Sequence, residues 1–425
     1  MRKFFDTYFK GDKIIWIIFA LMIVLSTLVM YSASSSLAHR STSSFYAPVW
    51  QHFGFLMTGF AVAWVIHRIP FKWVDRCTLL MYLFGLLLLA LTFIIGQSTN
   101  GATRWISFGG LRFQPSEVAK VTTILMLANA LSKNTGEKGT NNPDSGIWRY
   151  VAIVSIPVVL IVRENLSMCI LFLMICFVML ILGRVSVKLL LKISGFAVVL
   201  AGLALVGIMI LGASSDGSDP ALAKTESVVT SKLHRITTWR NRIVHFCDDS
   251  RPHDEHYKIE DKTRQEDYAK IAVANGKWFG LGVGNSIQRD VLPLAYADFV
   301  YSIIVEEWGV LAFLVLILYL AFLYRVGVMV REQCRSVFQS LTALGLAFSL
   351  LIQVLVNVYI AVGLFPVSGQ PLPLFSRGGT SIIITSVYFG IILMISRESM
   401  ENNGKEKRAT STAVRKKEKE EITKE

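Results

Sequence analysis

Long apolar stretches separated by short polar segments dominate this chain. Runs of the length needed to cross a bilayer as a helix, about 17–25 residues, recur at 14–35, 51–67, 78–96, 115–132, 149–163, 166–183, 188–213, 299–324, 336–362 and 376–397. They predict an all-α polytopic membrane protein with about ten transmembrane helices, because a helix satisfies its own backbone groups in lipid. The fifth run is short, and the fourth is amphipathic, with Glu117 and Lys120 in its first turns. The first is too long for a cleaved signal peptide and has no small-residue cleavage site. Residues 214–298 form the one long connection and are read as an external loop. Residues 1–13 read as a cytoplasmic N-terminus, 14–398 as one membrane domain, and 399–425 as a disordered basic cytoplasmic tail.

Charge sets the orientation. Of 425 residues, 53% are hydrophobic and 17% charged, below the roughly 25% charged of a soluble domain, and the mean hydropathy is +0.51. With the N-terminus inside, the inner segments collect Arg68, Lys72, Arg76, Lys133, Arg149, Arg184, Lys188, Arg325, Arg331 and Arg335, while the short outer turns hold few basic residues. This bias places both termini in the cytoplasm. Together with the tail "KEKRATSTAVRKKEKEEITKE" it accounts for most of the net charge of +13 without invoking nucleic acid.

The five cysteines include no C-x-x-C pair, and Cys247 alone is predicted outside, so no internal disulfide is expected. No P-loop, dinucleotide fingerprint or nucleophile elbow occurs. Within the long loop, Ile236, Trp239, Ile243 and Phe246 share a helical spacing in a basic stretch suited to a membrane surface. "HDEH" sets His253 and His256 three apart, but no third zinc ligand is specified.

Chemistry gathers in four outer segments: 98–120, the turn "RENLS" at 163–167, 261–309, and "PVSGQPLPLFSRGGTS" at 366–381. They hold Arg104, Trp105, Gln114, Ser116, Glu117, Lys120, Arg163, Glu164, Asp261, Asp298, Glu306, Glu307, Ser376, Arg377, Gly378 and Gly379. Charges beside apolar spans need partners or a wet cavity. Asp298, Ser302 and Glu306 recur every four residues, which predicts one helical stripe with Glu306 roughly 12 Å below Asp298. Arginine and lysine suit pyrophosphate, Trp105 can stack on a sugar or anchor at the interface, and glycine-rich turns offer backbone N–H groups. A lipid-linked sugar pyrophosphate would satisfy all of these together. The residues specify no resident cofactor; a divalent cation bridging pyrophosphate and carboxylates is compatible with them.

Three of these stretches resemble the SEDS family of bacterial shape, elongation, division and sporulation proteins. They are "GATRWISFGGLRFQPSEVAK", "GNSIQRDVLPLAYADFVYSIIVEEWG" and "VGLFPVSGQPLPLFSRGGTS", and the resemblance covers roughly residues 10–398. The form "GNSIQ" is closer to the division branch than to the elongation branch, where "GTQ" is usual. The resemblance implies a peptidoglycan glycosyltransferase of the bacterial cytoplasmic (inner) membrane, working at the division septum. It would polymerise lipid II beside a class B penicillin-binding protein and other divisome proteins.

The resemblance also implies a catalytic loop aspartate shortly before a Tyr-Gln pair. Here that pair reads Arg264-Gln265, the pattern "DP-x-G-x-GYQ" is missing, and counting back without a gap reaches Lys258. Asp261 is the preferred base and Asp254 its alternative. "RENLS" replaces the family's "PDLGT", while "YADF" and "SRGG" replace "HTDF" and "SYGG". In the implied mechanism Asp261 takes the proton from the acceptor sugar's C4 hydroxyl. That oxygen attacks the donor's C1, and undecaprenyl pyrophosphate leaves with inversion, its charge offset by Arg104, Lys120 and Arg377. A lipid II flippase or other transporter, and a scaffold without chemistry, are the competing classes.

Overall fold

A computed structural model of the chain describes residues 8–33, 46–99, 102–108, 111–135, 142–195, 264–367 and 369–422. The chain is an all-α membrane protein with one small sheet. Its helices are α1 (Lys13–Ala33), α2 (Ala47–Arg68), α3 (Phe71–Ile95), α4 (Pro115–Thr135), α5 (Ile147–Glu164), α6 (Leu166–Leu182), α7 (Arg264–Gly276), α8 (Val300–Trp308), α9 (Phe313–Gln333), α10 (Val337–Ala361) and α11 (Gly379–Ile422). A further helical stretch covers 187–195. Seven segments among the described residues are long and apolar enough to cross a membrane, and α6 is a shorter apolar helix. Residues 196–213 of the predicted seventh span and 214–263 of the long loop fall outside the described residues.

Three features differ from the sequence expectations. First, α4 is too polar to read as a lipid-facing span. It is buried almost all round, including Lys120, Thr123 and Asn129, so neighbouring helices take the place of lipid. Second, the predicted span 299–324 is broken. α8 ends at Gly309, whose φ of 56° and ψ of −127° suit glycine alone, and a 3₁₀ turn (Gly309–Ala312) leads into α9. Asp298 lies in the turn before α8 and so leaves the predicted Asp298–Ser302–Glu306 stripe. Third, the expected disordered tail continues α11 as helix to Ile422. Its Ala, Glu, Lys and Arg content favours helix wherever nothing interrupts it.

Charged and polar side chains clamp one end of the bundle. Asp12 accepts from Ile14 N at 2.9 Å and pairs with Arg325 Nη2 at 2.6 Å, joining α1 to α9. Ser396 Oγ accepts from Asp12 N at 2.9 Å, Arg397 donates to the carbonyls of Arg68 (2.8 Å) and Ile69 (3.1 Å), and Glu398 accepts from Phe71 N at 2.9 Å. Three successive residues of α11 thus hold the ends of α1, α2 and α3. The part of α11 before this clamp packs along α2, where Gly379 lies so close to Phe55 that a Cβ would meet its ring at 2.6 Å.

At the other end, residues 97–113 form a three-stranded antiparallel meander of β1 (Gln97–Thr99), β2 (Ala102–Phe108) and β3 (Leu111–Phe113). β2 pairs with β1 (Ser98↔Thr103) and with β3 (Ser107↔Arg112). The alternation of buried Ile106 between half-buried Trp105 and exposed Ser107 fits a strand with one covered face.

Candidate active site

The segment 369–378 is irregular backbone packed inside the bundle, where unpaired polar groups are costly. Its sequence and its neighbours resolve that cost together. Pro371 and Pro373 carry no N–H to satisfy. Five consecutive carbonyls find donors: Gln370 from Asn357 Nδ2 (2.7 Å), Pro371 from Gln353 Nε2 (3.2 Å), Leu372 from Ser376 N (3.0 Å), Pro373 from the Tyr319 hydroxyl (2.5 Å) and Leu374 from the Ser26 hydroxyl (2.7 Å). Ser376 Oγ also accepts from Leu372 N at 2.8 Å. Buried Ser376 therefore shapes the turn. α1, α9 and α10 each contribute a donor, so this short segment is held from three sides.

The turn delivers Arg377 to a cavity of about 130 Å³ lined by Trp105, Gln114, Glu117, Ala297, Asp298, Gly369, Pro371, Arg377, Gly378, Thr380, Ser381 and Ile384. Arg377 N donates to Tyr296 O at 2.9 Å, its Nη2 donates to Gln51 Oε1 at 2.7 Å, and its guanidinium lies 5.7 Å from the Tyr296 ring centre. Asp298 is positioned through its carbonyl, which accepts from Asn357 Nδ2 at 2.9 Å. The Thr380 hydroxyl donates to Arg112 O at 2.8 Å, which fastens β3 to the start of α11.

The remaining wall is the N-terminus of α4. Pro115 opens the helix, where its missing N–H is no loss, and Glu117 in the first turn is favoured by the helix dipole. Lys120 Nζ meets Glu117 Oε2 at 2.9 Å and donates to Gln353 Oε1 at 3.0 Å. Lys120 is wholly buried. It therefore faces Glu117 and Gln353, and through Gln353 it links to Pro371, rather than facing the cavity. Ser116 is also buried behind the wall.

Glu306 and Glu307 occupy a different place. Glu306 accepts from Asn275 Nδ2 (3.0 Å), Gln288 N (3.2 Å) and the Ser286 hydroxyl; Glu307 accepts from Ser286 N (3.2 Å) and the Ser32 hydroxyl. Both carboxyl groups brace the loop 277–288 against α8, away from the cavity. Arg104 belongs to β2, but its side chain is outside the described residues, as are the side chains of Arg163 and Glu164. Asp254, Asp261, the "HDEH" histidines and the 236–246 stretch also lie outside them. Among the described residues no group of three His, Cys, Asp or Glu side chains could hold a metal ion. Sequence reasoning missed Gln51, Gln353, Asn357 and Thr380, although polar Gln353 and Asn357 inside an apolar 25-residue helix were a visible signal.

Residues 12–401 match the family described as "Cell cycle protein", which groups FtsW, RodA and SpoVE. The chain belongs to this family. A relative from Hahella chejuensis, named probable peptidoglycan glycosyltransferase FtsW, is 30% identical over 88% of this chain and 87% of its own length. One of the same name from Pseudomonas fluorescens is 28% identical over 90% and 87%. Among solved structures, the rod shape determining protein RodA of Thermus thermophilus superposes with a TM-score of 0.61 at 23% identity, covering 92% of this chain and 97% of that one. A chain from a structure on polymerization and crosslinking by a peptidoglycan synthase complex gives 0.66 at 24%, covering 92% and 98%. The FtsW/RodA/SpoVE membership and the shared fold thus extend over almost the whole membrane domain, including all three walls of the cavity.

Proposed function

We propose that this chain is a peptidoglycan glycosyltransferase that polymerises lipid II into glycan strands during cell division. It would work at the outer face of the bacterial cytoplasmic membrane, at the septum, with both termini in the cytoplasm. The reading is carried by one observation: stretches around residues 105–117, 297–298 and 369–384 converge on a single cavity whose wall includes Gln114, Glu117, Asp298 and Arg377. The names of the FtsW relatives support it.

At about 130 Å³ the cavity is smaller than the roughly 300–1,000 Å³ that encloses a drug-sized ligand. It would take the pyrophosphate and the edge of the adjoining sugar, leaving the peptide stem and prenyl chain outside. Arg377 is the cation within reach. Its planar fork, steadied by Gln51 and Tyr296, would meet the charge that grows on the leaving pyrophosphate. Lys120 would act at one remove, holding Glu117 and, through Gln353, the carbonyl of Pro371 in place. Trp105 offers a sugar a flat apolar face. Arg104 would add a second positive charge. Asp261, three residues before α7, would remove the proton from the acceptor's C4 hydroxyl, with Asp254 as the alternative base.

Purified full-length protein in vesicles, given fluorescent lipid II with and without a class B penicillin-binding protein, tests the reading. Glycan strands are expected. Translocation without strands would mean a flippase, and neither product would leave a scaffold for the penicillin-binding protein and other divisome proteins.

A further inference from the structure

The loop between α7 and α8 carries the most exposed aromatic pair in the described chain: Trp278 at 76% and Phe279 at 93% exposure. Val283, Ile287 and Leu311 are exposed beside them. A loop in water rarely gathers such a patch without a partner.

Two helices give its height, both measured from one ion pair. The Asp12–Arg325 ion pair marks one edge of the hydrocarbon region, because such a pair is expensive within it. Along α1, Ser32 lies twenty residues above Asp12, about 30 Å at 1.5 Å per residue, and Ser32 bonds Glu307. Along α9 and the preceding turn, Val310 stands roughly 23 Å above Arg325 by the same rise. Val310 N donates to Trp278 O at 3.1 Å. A hydrocarbon core about 30 Å thick therefore ends near Glu307, and the Trp278–Phe279 tip falls at or just inside that opposite edge.

The loop backbone is prepared for that position. Gly280 N, Leu281 N and Gly282 N donate to the carbonyls of Gly276, Glu306 and Glu307, at 2.7, 2.9 and 3.0 Å. The Glu306 and Glu307 carboxyls take up Gln288 N and Ser286 N. Gly280 and Gly309 are pressed together so closely that a Cβ on Gly280 would meet Glu307 O at 2.1 Å. A water-exposed loop has no need to satisfy its donors internally, whereas one at the edge of lipid does.

We propose that the Trp278–Phe279 tip is an interfacial lipid anchor. Its rings seat at the acyl–headgroup boundary of the leaflet above the cavity, where tryptophan is favoured. Val283, Ile287 and Leu311 contact the upper acyl chains, continuing the lipid-facing surface of α9. The bilayer then fixes the height of α7, the helix that follows the long loop. This inference stands apart from the polymerase reading and is read without any activity.

The test uses the full-length protein in phosphatidylcholine vesicles whose acyl chains are brominated either near the headgroup or near the chain end. The contribution of Trp278 is the difference between wild type and Trp278→Phe. It should be quenched at least about twofold more by shallow than by deep bromines, and little by iodide in the buffer. A nitroxide on Phe279→Cys, with the native cysteines replaced by alanine, gives a second readout: collisions with oxygen should exceed those with a water-soluble nickel complex. Quenching by iodide, or nickel collisions above oxygen, would overturn the anchor in favour of a water-exposed tip. Protection from lipid, iodide and both collision reagents would overturn it in favour of a protein surface covering the tip.

Discussion

Two acidic regions lie at the same end of this molecule and are used in opposite ways. Glu306 and Glu307 turn their oxygens toward donors of the neighbouring loop, so their charge is absorbed by Asn275, Gln288 N, Ser286 and Ser32. Glu117 and Asp298 line the cavity that Arg377 also lines. The sequence spacing that brought both regions into one candidate list is helical in each case, and it cannot distinguish them. What separates them is the supply of backbone donors. A loop pressed on α8 offers several to Glu306 and Glu307, while Glu117 opens its own helix and finds one lysine.

The largest effect should come from breaking the brace. Glu306→Ala strands three buried donors at about 1–3 kcal/mol each. Thermal unfolding in detergent should begin many degrees lower, with polymerisation per folded molecule within about threefold of wild type. A strong loss of specific activity at full stability would move Glu306 into the site and erase the contrast. Asp261→Asn should reduce polymerisation by at least about 100-fold, with lipid II binding retained and Asp254→Asn nearly silent. The reverse pattern would exchange the two aspartates. Arg377→Ala should cost about 10- to 100-fold in polymerisation with unfolding little changed, since among the described residues its side chain donates to Gln51 and lies near the Tyr296 ring. Lys120→Met should destabilise by about 3–5 kcal/mol by leaving Glu117 without its partner, and Glu117→Gln with Lys120→Met should recover much of that stability but not the activity. Recovery of both would make the pair purely structural. Ser26→Ala should be the mildest, about 1–2 kcal/mol for the lost bonds to Leu374 O and His52 Nε2, seen as a small shift in unfolding temperature.

Much of the frame was legible because apolar length is a local property. α1, α2, α3, α5, α6 and α10 all begin and end within a few residues of the predicted runs, apart from α3, which starts earlier at Phe71. The break at Gly309 was not legible, since it goes with the close approach of Gly280, a glycine distant in the chain. For the site, Trp105, Gln114, Glu117, Asp298, Arg377 and Gly378 were named from the sequence and share one cavity. Its supports were harder to see. Ser26 comes from α1 and Tyr319, Gln353 and Asn357 from the distant pair α9 and α10, and each acts on a carbonyl that sequence does not display. The meander at 97–113 was visible in principle through the alternation in "ATRWISF", which was read only for its chemistry.

One further consequence belongs to α11. Its residues 396–398 grip the ends of three other helices, and its first residue, Gly379, stands two positions from Arg377. A helix is stiff along its axis, so a load applied at the gripped end travels to the cavity as a piston stroke of the whole rod. Under the proposed mechanism Arg377 would then be mechanically geared to the opposite membrane surface, and a protein that leaned on that surface would be felt at the cavity without touching it.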